Sequence, residues 1–184
     1  DQKFIPWPSI RTQQQLYEAD EVRRNGGQIY AAQGKKIGEI LKSVGIIDDK
    51  ILDGVEKRHQ TKKAKDKPTG ELLVYMGIID QESLTRALCI QSGILMVDIL
   101  SLDVPIEVLR LVPNENARGK NAMPAGVNKG TLFLAVADPF NFSDQQHFAF
   151  STGLNIKLVF APLKDIIQRI GTEWKEPDPE VWIG

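Results

Sequence analysis

KIGEILKSVGIIDDKIL at 36–52 and PTGELLVYMGIIDQESL at 68–84 are two copies of one stretch, and this repeat decides the fold. At an offset of 32 residues the copies share eight of 17 positions. A repeat of this kind indicates one supersecondary unit that buries its apolar face against its neighbour. We therefore predict two helix–turn–helix units that pack together.

The turn inside each copy follows from local chemistry. Gly45 and Gly77 stand where a helix ends in a left-handed residue, a conformation that glycine adopts without a Cβ penalty. Asp48 and Asp80 then fit the N-cap of the second helix, where a carboxylate accepts from exposed amides. Both turns are thereby explained as structure alone.

A second pair of glycines needs another explanation. Gly38 and Gly70 fall in the first turn of a predicted helix, although glycine costs about 1 kcal/mol relative to alanine inside a helix. Their recurrence indicates that something approaches the backbone closely at this point. Two alternatives remain open: tight packing between the two copies, or a ligand that reaches the backbone.

Composition excludes several classes of protein. The 184 residues are 42% hydrophobic and 26% charged, which is enough for a normal core. The net charge of −1 gives no support to a general polyanion binder, so no nucleic acid polymer is expected as a partner. The single cysteine, Cys89, excludes an intramolecular disulfide and fits a reducing compartment. Since no apolar run approaches about 18 residues, we expect no direct membrane insertion and a cytoplasmic location.

Catalytic and metal-binding patterns are not found in the sequence. Gly34-Lys35 and Gly119-Lys120 lack the first glycine and the Ser/Thr of a phosphate-binding loop. The two histidines, His59 and His147, are not at metal-ligand spacing. We therefore predict that the chain is not an enzyme and holds no metal.

The predicted fold class is α+β. An extended arm and a polar helix from Ser9 to Arg24 occupy 1–34, the helical repeat occupies 35–93, a small α/β subdomain occupies 94–175, and a linker or tail occupies 176–184. Within the α/β subdomain we predict helices at 105–111, 142–152 and 162–174. Strands are predicted at 122–127, 131–137 and 156–160, the first two joined by a hairpin turn at 128–130. These strands would form a three-stranded or larger mixed sheet.

A basic run at 57–67 separates the two copies. It fits a solvated helix end and loop, and the alternative is a phosphate-facing patch beside a ligand site. Together with the helix–turn–helix pairs, the run also raises DNA binding as a hypothesis. The balanced net charge opposes that hypothesis.

The repeat resembles the cyclic di-GMP-binding motif of a known family, whose pattern R-L-G-x-x-L-x-x-x-G-x6-L-x3-L-x2-Q is used twice. The family is the N-terminal domain of type II secretion and type IV pilus assembly ATPases, also called the GspE N-terminal or MshE N-terminal family. Its second half is similar to the segments at 108–113, 131–139 and 152–154, and to Phe142. The resemblance covers about 35–174 and implies a regulatory domain whose helical half binds cyclic di-GMP. It also implies that any ATPase motor domain lies outside this chain. Secretion or pilus assembly proteins are the implied partners, among them a C-terminal ATPase domain or an inner-membrane platform protein. Through those partners the chain would lie at the inner-membrane face.

The resemblance implies which residues contact the dinucleotide. Backbone amides and a basic side chain would hold phosphate, leucines would cover the sugars and bases, and the glutamine and the aspartate would bind guanine edges. The candidates are Lys36, Ile37, Gly38, Leu41, Gly45, Leu52, Gly70, Leu73, Gly77, Leu84, Leu88, Gln91 and Asp138. For Asp138 the alternative is a cap on the turn before Pro139.

The sequence departs from the family pattern at several positions. Lys36 replaces an arginine and so loses the bidentate fork, and Pro68-Thr69 replaces Arg-Leu in the second copy. Glu56 and His59 stand where the first copy should have leucine and glutamine. We therefore expect weakened binding of cyclic di-GMP. The alternative function is a ligand-free interaction or assembly module of the same fold that docks on a secretion or pilus component.

Overall fold

The computed structural model of the protein describes residues 7–61 and 66–174. They divide into two compact units, the first formed by 7–10, 17–61 and 66–96 and the second by 11–16 and 97–174. The predictions that concern the start of the arm at 1–6, the middle of the basic run at 62–65 and the tail from 175 lie outside the described residues.

The first unit is built from the repeat. Its helices are α2 (Ile37–Ser43), α3 (Asp49–His59), α4 (Thr69–Tyr75) and α5 (Gln81–Ser92), preceded by most of α1 (Gln13–Arg24). The two predicted helix–turn–helix units are therefore confirmed. Their shared apolar side chains form the core of this unit, with Ile40, Leu41 and Leu73 completely buried.

Helix α1 begins three residues later than predicted. Ser9 was the predicted cap, but Ile10 stays extended and donates its N–H to the Met96 carbonyl at 2.8 Å. Thr12 takes the capping role instead, because its Oγ1 accepts from the Gln15 N–H at 3.1 Å. Backbone pairing at Ile10 thus overrides the local signal at Ser9.

Both turns of the repeat have the predicted chemistry. Gly45 and Gly77 have φ angles of +80° and +70°, the left-handed conformation that ends a helix. The carboxylate of Asp48 accepts from the Ile51 N–H at 2.8 Å. That of Asp80 accepts from the Ser83 N–H at 2.7 Å. Hydrogen bonds from the side chain and the backbone of Ser83 lower the pKa of the Asp80 carboxyl.

The other glycine pair is explained by packing inside each copy, not between copies. A Cβ on Gly38 would lie 2.5 Å from Cδ1 of Leu52, and a Cβ on Gly70 would overlap Cδ1 of Leu84. Each leucine belongs to the second helix of the same unit. Of the two alternatives that the sequence left open, packing between the copies therefore applies only at Gly70, which also faces Ile37 Cγ2 of the other copy at 3.4 Å.

The second unit contains a three-stranded mixed sheet, which confirms the predicted fold class. Strand β1 (Met123–Asn128) pairs antiparallel with β2 (Thr131–Val136), and β2 pairs parallel with β3 (Asn155–Phe160). Lys129 and Gly130 join the first two strands with φ angles of +49° and +74°. Two positive φ angles give the primed turn whose twist matches that of the strands. Every residue of β2 is buried, so this strand is the centre of the unit.

Four helices surround the sheet within the described residues: α6 (Ile106–Leu109), α7 (Asn114–Lys120), α8 (Phe142–Thr152) and α9 (Leu163–Glu173). The sequence predicted α6, α8 and α9 but missed α7. Pro113 was interpreted as the residue that follows a helix, whereas it occupies the N-cap position of α7. Proline suits that place because its missing N–H would have had no helical partner.

Candidate functional site

The repeat forms a cleft of about 320 Å³ in the first unit. Its walls come from the first turns of α2 and α4, from one side of α3 and from the end of α5. Both copies therefore contribute to one site. The residues that line it are Lys36, Ile37, Gly38, Glu39, Leu52, Glu56, Pro68, Thr69, Gly70 and Gln91.

Six of the thirteen predicted contact residues meet in this cleft. They include one cation, one amide side chain, two glycines and two aliphatic side chains. The six are Lys36, Ile37, Gly38, Leu52, Gly70 and Gln91. The structure thus brings together residues that are up to 55 positions apart in the sequence, the separation of Lys36 and Gln91.

The other predicted residues lie elsewhere. Leu41 and Leu73 have no exposed surface and Leu84 has 5%, so these three belong to the core beneath the cleft. Gly45 and Gly77 form the turns at the ends of α2 and α4. Leu88 is half-buried on α5 and is not part of the cleft lining.

Asp138 belongs to the second unit. It is exposed two residues after the end of β2, where its carboxylate accepts from the Phe140 N–H at 3.1 Å. Its carbonyl accepts from the Asn141 N–H at 3.2 Å. These contacts are those of the turn-capping role that the sequence left open as the alternative.

Gln91 is held in a fixed orientation at the edge of the cleft. The side-chain Nε2 of Gln91 donates to the backbone carbonyl of Lys35 at 3.1 Å. The backbone carbonyl of Gln91 accepts from the Gly34 N–H at 3.0 Å. A carbonyl can pair only with the nitrogen of a side-chain amide, so Oε1 is left as the acceptor end. The segment before α2 is thereby fastened to the end of α5.

Four residues of the cleft were not among those predicted from the sequence: Glu39, Glu56, Pro68 and Thr69. Pro68, Thr69 and Glu56 were noted only as departures from a motif. Glu39 had a usable signal, because the repeat has glutamate at the same place in both copies, beside each first-turn glycine. As a result, the cleft carries two carboxylates beside the single ammonium of Lys36.

His59 occupies the place in the first copy that Gln91 occupies in the second. It ends α3 and does not line the cleft. Its Nε2 is buried and has no hydrogen-bond partner among the described residues. The copies therefore differ in how the end of their second helix is fastened.

A second cleft of about 550 Å³ lies in the first unit and was not predicted. Apolar residues form most of its lining, and Lys35 and Ser43 add the polar groups. Tyr30 is held in one wall by its hydroxyl, which donates to the Ile94 carbonyl at 2.7 Å. Burial raises the pKa of this hydroxyl. The lining lacks the several converging polar groups that a nucleotide requires.

The part of the chain that the structure describes contains neither a cluster of metal ligands nor a helix that could span a membrane. Residues 7–61 and 66–174 contain no group of three His, Cys, Asp or Glu side chains that could hold a metal ion. Over the same ranges, no helix is both long enough and apolar enough to cross a membrane.

Comparison with known proteins finds a family that resembles the C-terminal part of the chain. Residues 92–172 match the family model described as the MshEN domain. This part of the chain is similar to an MshEN domain. The match begins at the last residue of α5, so most of the repeat and its cleft lie outside it.

One curated relative and two solved structures are also similar to the chain. The chain is 29% identical over 101 residues to the type IV pilus assembly ATPase PilB of Myxococcus xanthus (strain DK1622), across 55% of the chain and 18% of PilB. The chain thus spans about a fifth of that relative. The structure of MshE with cdg aligns at a TM-score of 0.53 with 23% identity, covering 76% of this chain and 99% of MshE. It shows that the two chains share a fold. The N-terminal domain of XpsE aligns at a TM-score of 0.45 with 19% identity, over 75% of the chain and 94% of that domain.

Proposed function

We propose that the chain is a regulatory N-terminal region of a type II secretion or type IV pilus motor and binds cyclic di-GMP in the repeat cleft. One observation carries the proposal: both copies of the repeat converge on a single cleft that contains Lys36, Gln91 and the two first-turn glycines. The cleft volume falls within the range of small-molecule sites. The fold shared with the MshE structure, whose ligand is cyclic di-GMP, also supports it.

Each element of the cleft has a task in this proposal. The ammonium of Lys36 pairs with a phosphate as a point charge. Leu52 and Ile37 offer apolar surface to a sugar or a base. Gly38 and Gly70 line the cleft and leave room for Leu52 and Leu84 against the first turns of α2 and α4. Oε1 of Gln91 accepts from a base N–H, because Nε2 is already engaged with Lys35.

Calorimetric titration of cyclic di-GMP tests this function. Lys36→Ala removes the cation in the cleft and should weaken binding by about tenfold to a hundredfold. Lys35→Ala is the matched control, because Lys35 precedes it directly but does not line this cleft. The Lys35 carbonyl that holds Gln91 is backbone and survives the substitution. Absence of binding heat at saturating ligand would refute the proposal, as would equal losses in the two variants.

The second candidate function is docking on a secretion or pilus component. Helix α8 exposes 68% of Phe142 and 95% of Phe150, which is unusual for large aromatic side chains. Phe150→Ser should reduce capture of the cytoplasmic part of an inner-membrane platform protein without loss of stability. Tyr75→Ser serves as the control, because Tyr75 is also highly exposed but lies on α4 in the first unit. Equal capture by wild type and Phe150→Ser would count against this function.

A further inference from the structure

The two copies of the repeat differ at one position that faces the cleft. Glu56 lies on α3 and lines the cleft, whereas the residue 32 positions later, on α5, is Leu88. Glu56 is exposed. Among the described residues it forms no hydrogen bond or ion pair.

The charges of the cleft lining do not favour an anion. Lys36 contributes one positive charge, and Glu39 and Glu56 contribute two negative charges, so the described lining has a net charge of −1. A cyclic dinucleotide carries two phosphodiester charges. Within a small cleft each carboxylate therefore repels the ligand that Lys36 attracts.

We propose that Glu56 attenuates the affinity of the cleft for its phosphate-bearing ligand. The inference rests on the proposed function and concerns its regulation. The carboxylate raises the ligand concentration at which the site fills, because part of the attraction to Lys36 is cancelled. The second copy lacks this effect at the matching place, where Leu88 is uncharged.

Two substitutions separate charge from shape. Glu56→Gln keeps the size of the side chain and removes its charge, and it should tighten binding of cyclic di-GMP by about threefold to tenfold. Glu56→Leu makes the first copy like the second and adds apolar contact. Asp53→Asn is the matched control, because it removes a carboxylate one turn earlier on the same helix, from a residue that does not line the cleft.

Salt supplies a second readout that a merely structural role would not change. The gain in affinity for cyclic di-GMP that Glu56→Gln shows over wild type should shrink as the salt concentration rises from about 50 mM to about 500 mM. Salt screens the repulsion between the Glu56 carboxylate and the phosphates. The advantage of Glu56→Leu should persist in part, since apolar contact is not screened. Asp53→Asn should bind like wild type throughout.

The results distinguish this inference from the proposed function. Tight binding by Glu56→Gln with no measurable binding by wild type would support the attenuating role and refute ligand binding by the native chain. Equal affinities of wild type and Glu56→Gln would overturn the inference and leave the proposed function standing. Weaker binding by Glu56→Gln would also overturn it, because the carboxylate would then be accepting from the ligand. No binding by any variant would overturn both.

Discussion

Alanine should cost much less stability at Gly38 than at Gly70, although the two positions are equivalent in the repeat. A Cβ at Gly38 lies 2.5 Å from Cδ1 of Leu52, which is too close for either atom to remain in place. Leu52 is only half-buried and borders the cleft, so its side chain can move into that space. At Gly70 the obstructing side chain is Leu84, which is 5% exposed and has no such space.

These contacts set the expected magnitudes. Alanine gains up to about 1 kcal/mol of helix propensity over glycine, which offsets the displacement of Leu52. Gly38→Ala should therefore change the free energy of unfolding by less than about 1 kcal/mol. It should also narrow the cleft and weaken the binding of cyclic di-GMP. Gly70→Ala overpacks a closed core against Leu84 and Ile37 and should cost about 1–3 kcal/mol.

Urea unfolding of the two variants measures the difference, with Gly54→Ala as the control. Gly54 lies inside α3 with no atom within 4 Å of a Cβ added there, so alanine should stabilise by about 0.5–1 kcal/mol. The double variant Gly38→Ala/Leu52→Ala should recover the open cleft. Equal destabilisation by Gly38→Ala and Gly70→Ala would refute the reasoning, because it would show that Leu52 is as confined as Leu84.

Two further predictions concern stability. Asp80→Ala should cost about 1 kcal/mol at pH 7, since it removes the cap that Ser83 binds. The folded-state pKa of Asp80 lies below its unfolded value, so this contribution to stability is present above about pH 4 and is lost as the pH falls through the folded-state pKa. The unfolding curves of wild type and Asp80→Ala should therefore differ at neutral pH and converge at acid pH. Arg169→Ala should cost about 2–4 kcal/mol, because its guanidinium donates to the Ile99 and Leu102 carbonyls at 2.7 and 2.8 Å. Arg169→Lys should recover only part of this loss, and a thermal melt in which Arg169→Ala matched wild type would show that water replaces the guanidinium.

The features that the sequence predicted correctly are those fixed by local chemistry. Gly45 and Gly77 end their helices, and Asp48 and Asp80 cap the next ones, because each role depends on a few neighbouring residues. The hairpin at Gly130 has the same local origin. Helix α7 was missed because a proline that ends one helix and a proline that begins another look alike in a single sequence.

The lining of the cleft was predictable only in part. Leu41 belongs to the motif, yet it is completely buried, whereas Leu52 in the same motif borders the cleft. A pattern of apolar residues does not distinguish a core position from a contact position, since both require leucine. Glu39 and Glu56 entered the site because the helices bring them there, and their charge had no place in the pattern.

The central claim is that both copies of the repeat hold one ligand in one cleft. A titration of cyclic di-GMP followed by amide resonances of the ¹⁵N-labelled chain tests it most directly. We predict that the largest shifts fall on the amides at 37–39 and 70–71, which belong to the first turns of the two helices, and on the side-chain amide of Gln91. Shifts confined to one copy or to the second unit, or no shifts at all, would contradict the claim.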